Sequence, residues 1–221
     1  MHKTYIWIIV LLCFAGCEGI PDTRAEFTVT IENLSGTEAA PEVILSRGVF
    51  MTHRGGHPLF FNFSFEYGQG LEELAEDGIN DTLFNNLSVR RDVIETGVFP
   101  DILPGESVSF SFSASYGDSF NLASMFTESN DAFYAYNDDG ISLFHPDGEP
   151  ISGDFTRKVF LWDAGTELNE EPYEGPNQPA RQMNLNQGEF TAFERVRLID
   201  DGFSYPAKTS VLRITFSPTT R

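Results

Sequence analysis

The sequence predicts an all-β antiparallel sandwich, and three observations carry that prediction. Apolar and polar residues alternate with period two in several short segments, turn residues punctuate the chain at close intervals, and 21 of the 221 residues are phenylalanine. Period-two alternation marks a strand with one face in a core and the other in water. Frequent Gly, Pro, Asn and Asp turns keep such strands short. Abundant large aromatics suit the space between two packed sheets.

The elements follow in chain order. "FTVTIEN" (27–33) sets Phe27, Val29 and Ile31 against Thr28, Thr30 and Glu32. "PEVILSRGVFM", "LFFNFSF" and "NLSVRRDVIET" are further strand candidates. "GLEELAEDG" (70–78) is the convincing helical patch, with Leu71, Leu74 and Ala75 on one side and Gly78 as its stop. A second short helix fits 80–87. "SVSFSFSAS" sets Val108, Phe110, Phe112 and Ala114 against serines, and "NLASMFTES", "AFYAYN", "RKVFLW" and "FERVRLID" continue the strand series. "SVLRITFSP" closes it with Leu212, Ile214 and Phe216 inward. The separators are "RGGHP", "LPGES", "DDG", "HPDGEP" and a second "DDG". No internal repeat or second domain is visible.

The N-terminus is set apart. "MHKTYIWIIVLLCFAGC" has a short basic start, an apolar run from Tyr5 to Ala15 and small residues before Cys17, the layout of an export signal. The run is shorter than the roughly 20 residues a membrane span needs. Phe14-Ala15-Gly16-Cys17 resembles a bacterial lipobox, with Phe14 in place of the usual Leu. The expected organisation is a signal over 1–16, a lipidated Cys17 with a tether to residue 25, and one domain over 26–221. The protein is then an exported lipoprotein of the cell envelope, at the outer membrane or cell surface, meeting the membrane through its lipid. Cys13 and Cys17 are the only cysteines, so the domain itself has no thiol for a nucleophile, a disulfide or a cluster.

The chain has 14 basic and 33 acidic residues, a net charge of −19. Nucleic-acid binding needs a basic face and is excluded; the charge favours cations. The carboxylates concentrate where apolar runs end. Asp131 precedes "AFYAY", and "VFLW" stops at Asp163, with Glu167 four residues later in "DAGTE". In a sandwich, strand ends converge at the poles. Calcium takes 6–8 oxygens from carboxylates, carbonyls and water. Gly165 lets the chain curl so that residues 163 and 167 face one point. Without a cation, clustered carboxylates repel and raise one another's pKa.

These segments resemble the spondin N-terminal domain family in its bacterial lipoprotein branch. The landmarks stand in the family's order: "FTVTIENLS", "GQGLEELAEDG", "FTESNDAFYAYNDDG" and "VFLWDAGTELNEEP", from about residue 26 to about 182. "WDAGTE" is similar to its Asp-Ala-Gly-Thr-Asp/Glu loop and "SNDAF" to its Ser-Pro-Asp-Trp-Phe segment. The resemblance implies an eight-stranded antiparallel sandwich like the calcium- and lipid-binding sandwich modules. It also implies a calcium ion held by Asp131, Asp163 and Glu167. Asn130 stands in place of the proline, Ala132 of the tryptophan, and Glu167 where animal members have Asp. Animal relatives serve adhesion, so the implied role is an adhesion or recognition module, with a surface protein or glycan as partner.

Asn169, Glu170 and Glu174 could complete the calcium shell or belong to a solvated loop. Asp138 and Asp139 read as a turn, as does His145. His53 and His57 are four apart, but Gly55, Gly56 and Pro58 argue against a helix that would align them. No nucleophile elbow, phosphate loop or His-Glu-x-x-His helix is present, and the chain is read as not an enzyme. A glycosidase-like hydrolase using the same carboxylates, or a structural envelope protein that calcium only stabilises, are the alternatives.

Overall fold

The computed structural model describes residues 23–55, 58–65, 69–191 and 194–220. The expectations for the signal and for Cys17 fall outside them, as does His57. Two antiparallel sheets pack face to face. The smaller has the order β4-β1-β11-β8, built from β1 (Arg24–Asn33), β4 (Ser107–Ser115), β8 (Gly153–Asp154) and β11 (Leu212–Thr220). The larger has the order β10-β9-β6-β5-β2-β3. Its strands are β2 (Gly48–His53), β3 (Val93–Phe99), β5 (Ser119–Met125), β6 (Ala132–Ala135), β9 (Phe160–Asp163) and β10 (Arg197–Leu198). The short β7 (Ile141–Ser142) joins it through β5. Among the described residues there are eleven strands where eight were expected: eight of four or more residues, and β7, β8 and β10 of two residues each.

The smaller sheet follows the alternation read from the sequence. Phe27, Val29 and Ile31 are buried, as are Leu212, Ile214 and Phe216. Thr28 and Thr30 turn outward and hydrogen-bond Ser111 and Ser109 at 3.0 and 2.7 Å. Between the sheets, Phe50 stacks on Phe110 at 4.3 Å, and Phe112 on Phe120 at 5.2 Å. The tether is shorter than expected, because Arg24 and Ala25 already belong to β1 and Ala25 is buried.

The larger sheet is covered on both faces. Helices α1 (Leu71–Asp77) and α2 (Asp81–Ser88) close a second core around Val49, Met51, Ala123, Phe133 and Trp162. This explains why β2, β5 and β6 are near-continuous buried runs rather than alternating ones. Helix α1 ends at Gly78 in the left-handed region, φ 67°, with its N–H on the carbonyls of Glu73 and Leu74. "LFFNFSF" is not a strand but a bent loop. Leu59 and Phe60 plug the second core, while Phe61, Phe63 and Phe65 are exposed and Phe63 has φ 63°.

Candidate functional site

The pole of the larger sheet is set by strand register. Ala132 of β6 pairs with Asp163 of β9, and Arg197 of β10 pairs with the same Asp163 from the other side. Asp131, one residue before β6, therefore lies beside the end of β9. Its carbonyl accepts the Ala164 N–H at 3.0 Å. Asp131 and Asp163 are wholly buried, and each carboxyl perturbs the other.

Each carboxyl has a defined task. Asp131 Oδ2 accepts the N–H groups of Thr166 and Glu167 at 2.9 and 3.1 Å, and Oδ1 accepts the Thr166 hydroxyl at 2.9 Å. Asp131 thus folds the Asp163–Glu167 loop around itself. Asp163 Oδ1 accepts the Gly165 N–H at 2.6 Å, and Oδ2 meets Asn169 Nδ2 at 2.9 Å and the Arg197 guanidinium at 2.8 Å. Asn169 Nδ2 also donates to Asp201 at 3.1 Å, and Asp201 accepts the Tyr205 hydroxyl at 2.8 Å.

Glu167 departs from the expected convergence. Its Oε2 accepts Asn130 Nδ2 at 3.0 Å, and its carboxyl lies against Gly188. The loop N–H groups turn toward Asp131, and that rotation sends the Glu167 side chain elsewhere. Residues 163 and 167 therefore do not face one point. Asn130 is a clamp: it also donates to the Leu168 carbonyl and accepts the Glu170 N–H, both at 3.0 Å. Helix α1 brings a further acid, Glu76, only 4% exposed and interacting with Thr166 and Glu167.

Burial dominates the electrostatics. It pushes Asp131 well above the usual carboxylate range, with the Asp163 charge adding to it and the Thr166 and Glu167 donors opposing it. Asp163 is also raised by burial, against Arg197, Asn169 and Gly165. Burial lifts Glu167 to about 7, with the charges of Asp77, Glu170 and Glu72 adding to it against the Asn130 hydrogen bond. Burial likewise lifts Glu76 to about 8, with Glu167 among the added charges.

A carboxyl whose folded pKa exceeds its unfolded value favours folding below the unfolded value, and that advantage is lost as pH rises through the folded one. With divalent cations chelated, melting temperature is expected to fall between pH 5 and 8, Glu76 alone accounting for about 3 kcal/mol. Glu76→Gln, which imitates the protonated acid, should flatten the slope in a pH series of thermal melts. An unchanged slope would show that Glu76 is already ionised in the fold.

Three buried carboxyls come to this pole from separate segments, with Arg197 ion-paired to one of them; carboxylate oxygens are the donor type a hard cation takes. Asp131 and Asp163 stand as a pair. Among the described residues, no group of three His, Cys, Asp or Glu side chains converges in a metal-holding arrangement. Asn169 is at the pole, as a donor to Asp163. Glu170 instead accepts the Asn177 N–H at 3.0 Å, and Glu174 is an exposed turn residue. Asp138–Gly140 and His145–Gly148 form turns, as expected. His53 is buried with Nδ1 3.0 Å from the Gly55 carbonyl.

No protein-family model matches the chain, and no curated protein matches it. Sequence reading missed Glu76, Arg197, Asp201 and the role of Asn130. For Arg197 a signal existed: a basic residue inside "FERVRLID", in a chain where acids outnumber bases. For Glu76 there was none beyond its place beside the apolar face of a short helix.

Proposed function

We propose that the chain is a calcium-binding β-sandwich that acts as an adhesion or recognition module, exported and anchored through lipid on Cys17. The observation that carries this reading is the buried Asp131–Asp163 pair at the ends of neighbouring strands. Ionised, the pair and Glu167 close by would carry more negative charge than Arg197 offsets. The resemblance of "DAGTE" and "SNDAF" to the spondin family's calcium segments supports it, as does the signal-like start of the chain. Calcium would be held by Asp131 and Asp163, and by Glu167 once its side chain leaves Asn130. The ion would supply the positive charge that lets these acids ionise while buried.

The chain's own residues do the ordering. Asp131 holds the loop through three donors, Asn130 clamps residues 167–170, and Arg197 ties β10 to the pole. Glu167 bridges to Phe190, and Leu168 and Phe190 project from this rim, 52% and 60% exposed. That ordered rim is the surface offered to a protein or glycan partner.

The test is a thermal melt of the full chain at neutral pH with calcium against EDTA. A ligand that binds only the folded state adds about 2.7 kcal/mol at a hundredfold excess over Kd. The melting temperature is expected to rise with calcium and to rise less in Glu167→Gln, which preserves the side chain's shape. No shift up to about 10 mM, above the range of extracellular calcium modules, would overturn the reading.

A further inference from the structure

A second site lies at the other end of β5. Asp118 directly precedes β5, whereas Phe126, next after it, hydrogen-bonds Ala132 beside the carboxylate pole. Around Asp118 a cavity of about 630 Å³ opens, within the size range of small-molecule sites. It lies where β4 and β3, the outermost strands of the two sheets, come together. Its lining is unusual for so acidic a chain: Arg24, Arg54 and Arg91 beside Asp92, Glu95 and Asp118.

The pairing separates fixed groups from available ones. Asp118, 2% exposed, accepts the Ser115 N–H at 2.7 Å and holds Arg54 Nε at 2.7 Å, so Arg54 is fixed across the turn. Asp92 is ion-paired with Arg90 at 2.6 Å. Arg24 and Arg91 make no side-chain hydrogen bond or ion pair with any described residue, although the chain has 33 acids for 14 bases. The lining thus sets three guanidinium groups against three carboxylates, a charge-balanced patch on a chain of −19, with Arg24 and Arg91 left available. Ile94, Ala25 and Ala114 add an apolar strip, and Ser113 and Ser115 add hydroxyls.

We infer that this cavity binds an acidic sugar of the hexuronate class. Arg24 and Arg91, both on the cavity wall, take its carboxylate, the anion to which a planar guanidinium is matched in charge and geometry. Glu95 and the serines take ring hydroxyls, and the apolar strip takes the C–H face of the ring. The lining acids argue against a compact dianion such as phosphate, which they repel, but they accept hydrogen bonds from hydroxyls. This inference is independent of calcium at the pole.

The test is isothermal titration of the full chain, in EDTA, with galacturonate, a galacturonate oligomer, galactose and inorganic phosphate. Saturable binding of galacturonate is expected, with galactose and phosphate silent. Arg24→Gln and Arg91→Gln should each weaken binding about tenfold or more, the worth of a charge-assisted hydrogen bond. Neither arginine has a side-chain partner among the described residues, so both variants should keep the wild-type melting temperature. Arg47→Gln, whose parent residue pairs with Asp101 instead, should bind normally. Tighter binding of the oligomer identifies a polysaccharide end as the source, and equal affinity a free sugar. No binding of galacturonate, equal binding of galactose or phosphate, or undiminished affinity in both variants would overturn the inference.

Discussion

Replacing Asp131 by Ala is expected to destabilise the fold by about 3 kcal/mol, because three donors lose their acceptor at once. The Thr166 N–H, the Thr166 hydroxyl and the Glu167 N–H all end on this carboxyl, and Thr166 and Glu167 are 1% and 5% exposed. Water cannot readily replace the lost partner at that depth. Each unsatisfied buried donor costs roughly 1–3 kcal/mol. Relief of repulsion from Asp163 offsets part of that sum. For a domain of this size the loss corresponds to a fall in melting temperature of roughly 6–12 °C. Leu168→Ala, on an exposed side chain of the same loop, is the control that should change little. A thermal melt of Asp131→Ala matching the wild type would mean that the loop is held by other contacts.

Gly165→Ala is the second large effect. Gly165 has φ 70°, and a Cβ there would lie 2.6 Å from the backbone of Arg195. The left-handed conformation alone costs a non-glycine residue roughly 1–2 kcal/mol. The contact adds more, since backbone rather than a flexible side chain must move. The segment displaced is the one that carries Arg197 to Asp163. Gly105 separates the two contributions: it has φ 80° with nothing within 4 Å of an added Cβ. Gly105→Ala should show the dihedral cost alone, and Gly165→Ala at least about twice that loss in urea unfolding. Equal losses would show that the close approach to Arg195 is relieved without cost.

The legible parts of the fold are those where local pattern and tertiary burial agree. Strands β1, β4 and β11 form a sheet with one face in the core and one in water, so Phe27, Phe112 and Ile214 announce their direction by alternation. Strands β2, β5 and β6 are covered by the second sheet on one face and helices on the other. The sequence marks them as apolar but cannot say which residues meet which layer. "LFFNFSF" misleads for a related reason. Its alternating phenylalanines imitate a strand, yet Phe60 packs edge-to-face on Trp162 at 4.8 Å while Phe63 turns out at a positive φ. "FERVRLID" shrinks to the two residues of β10.

At the pole, strand-end convergence made the Asp131–Asp163 pair legible, since it needs only that the two flanking strands be neighbours. The direction of Glu167 depends on which partner captures the loop N–H groups, and Asp131 captures them. Glu76 and Arg197 arrive from elements far away in sequence, through packing and register that no local pattern encodes.

Equilibrium dialysis of the full chain against calcium, at neutral pH with wild type and Asp163→Asn side by side, decides whether the buried acids are a cation site. One calcium per chain, saturable, and lost or much weakened in Asp163→Asn, is the expected result. Absence of saturable binding up to about 10 mM, beyond the range of extracellular modules, would contradict it. The carboxylates would then be a structural network held by Arg197, Asn169, Asn130 and the loop N–H groups alone.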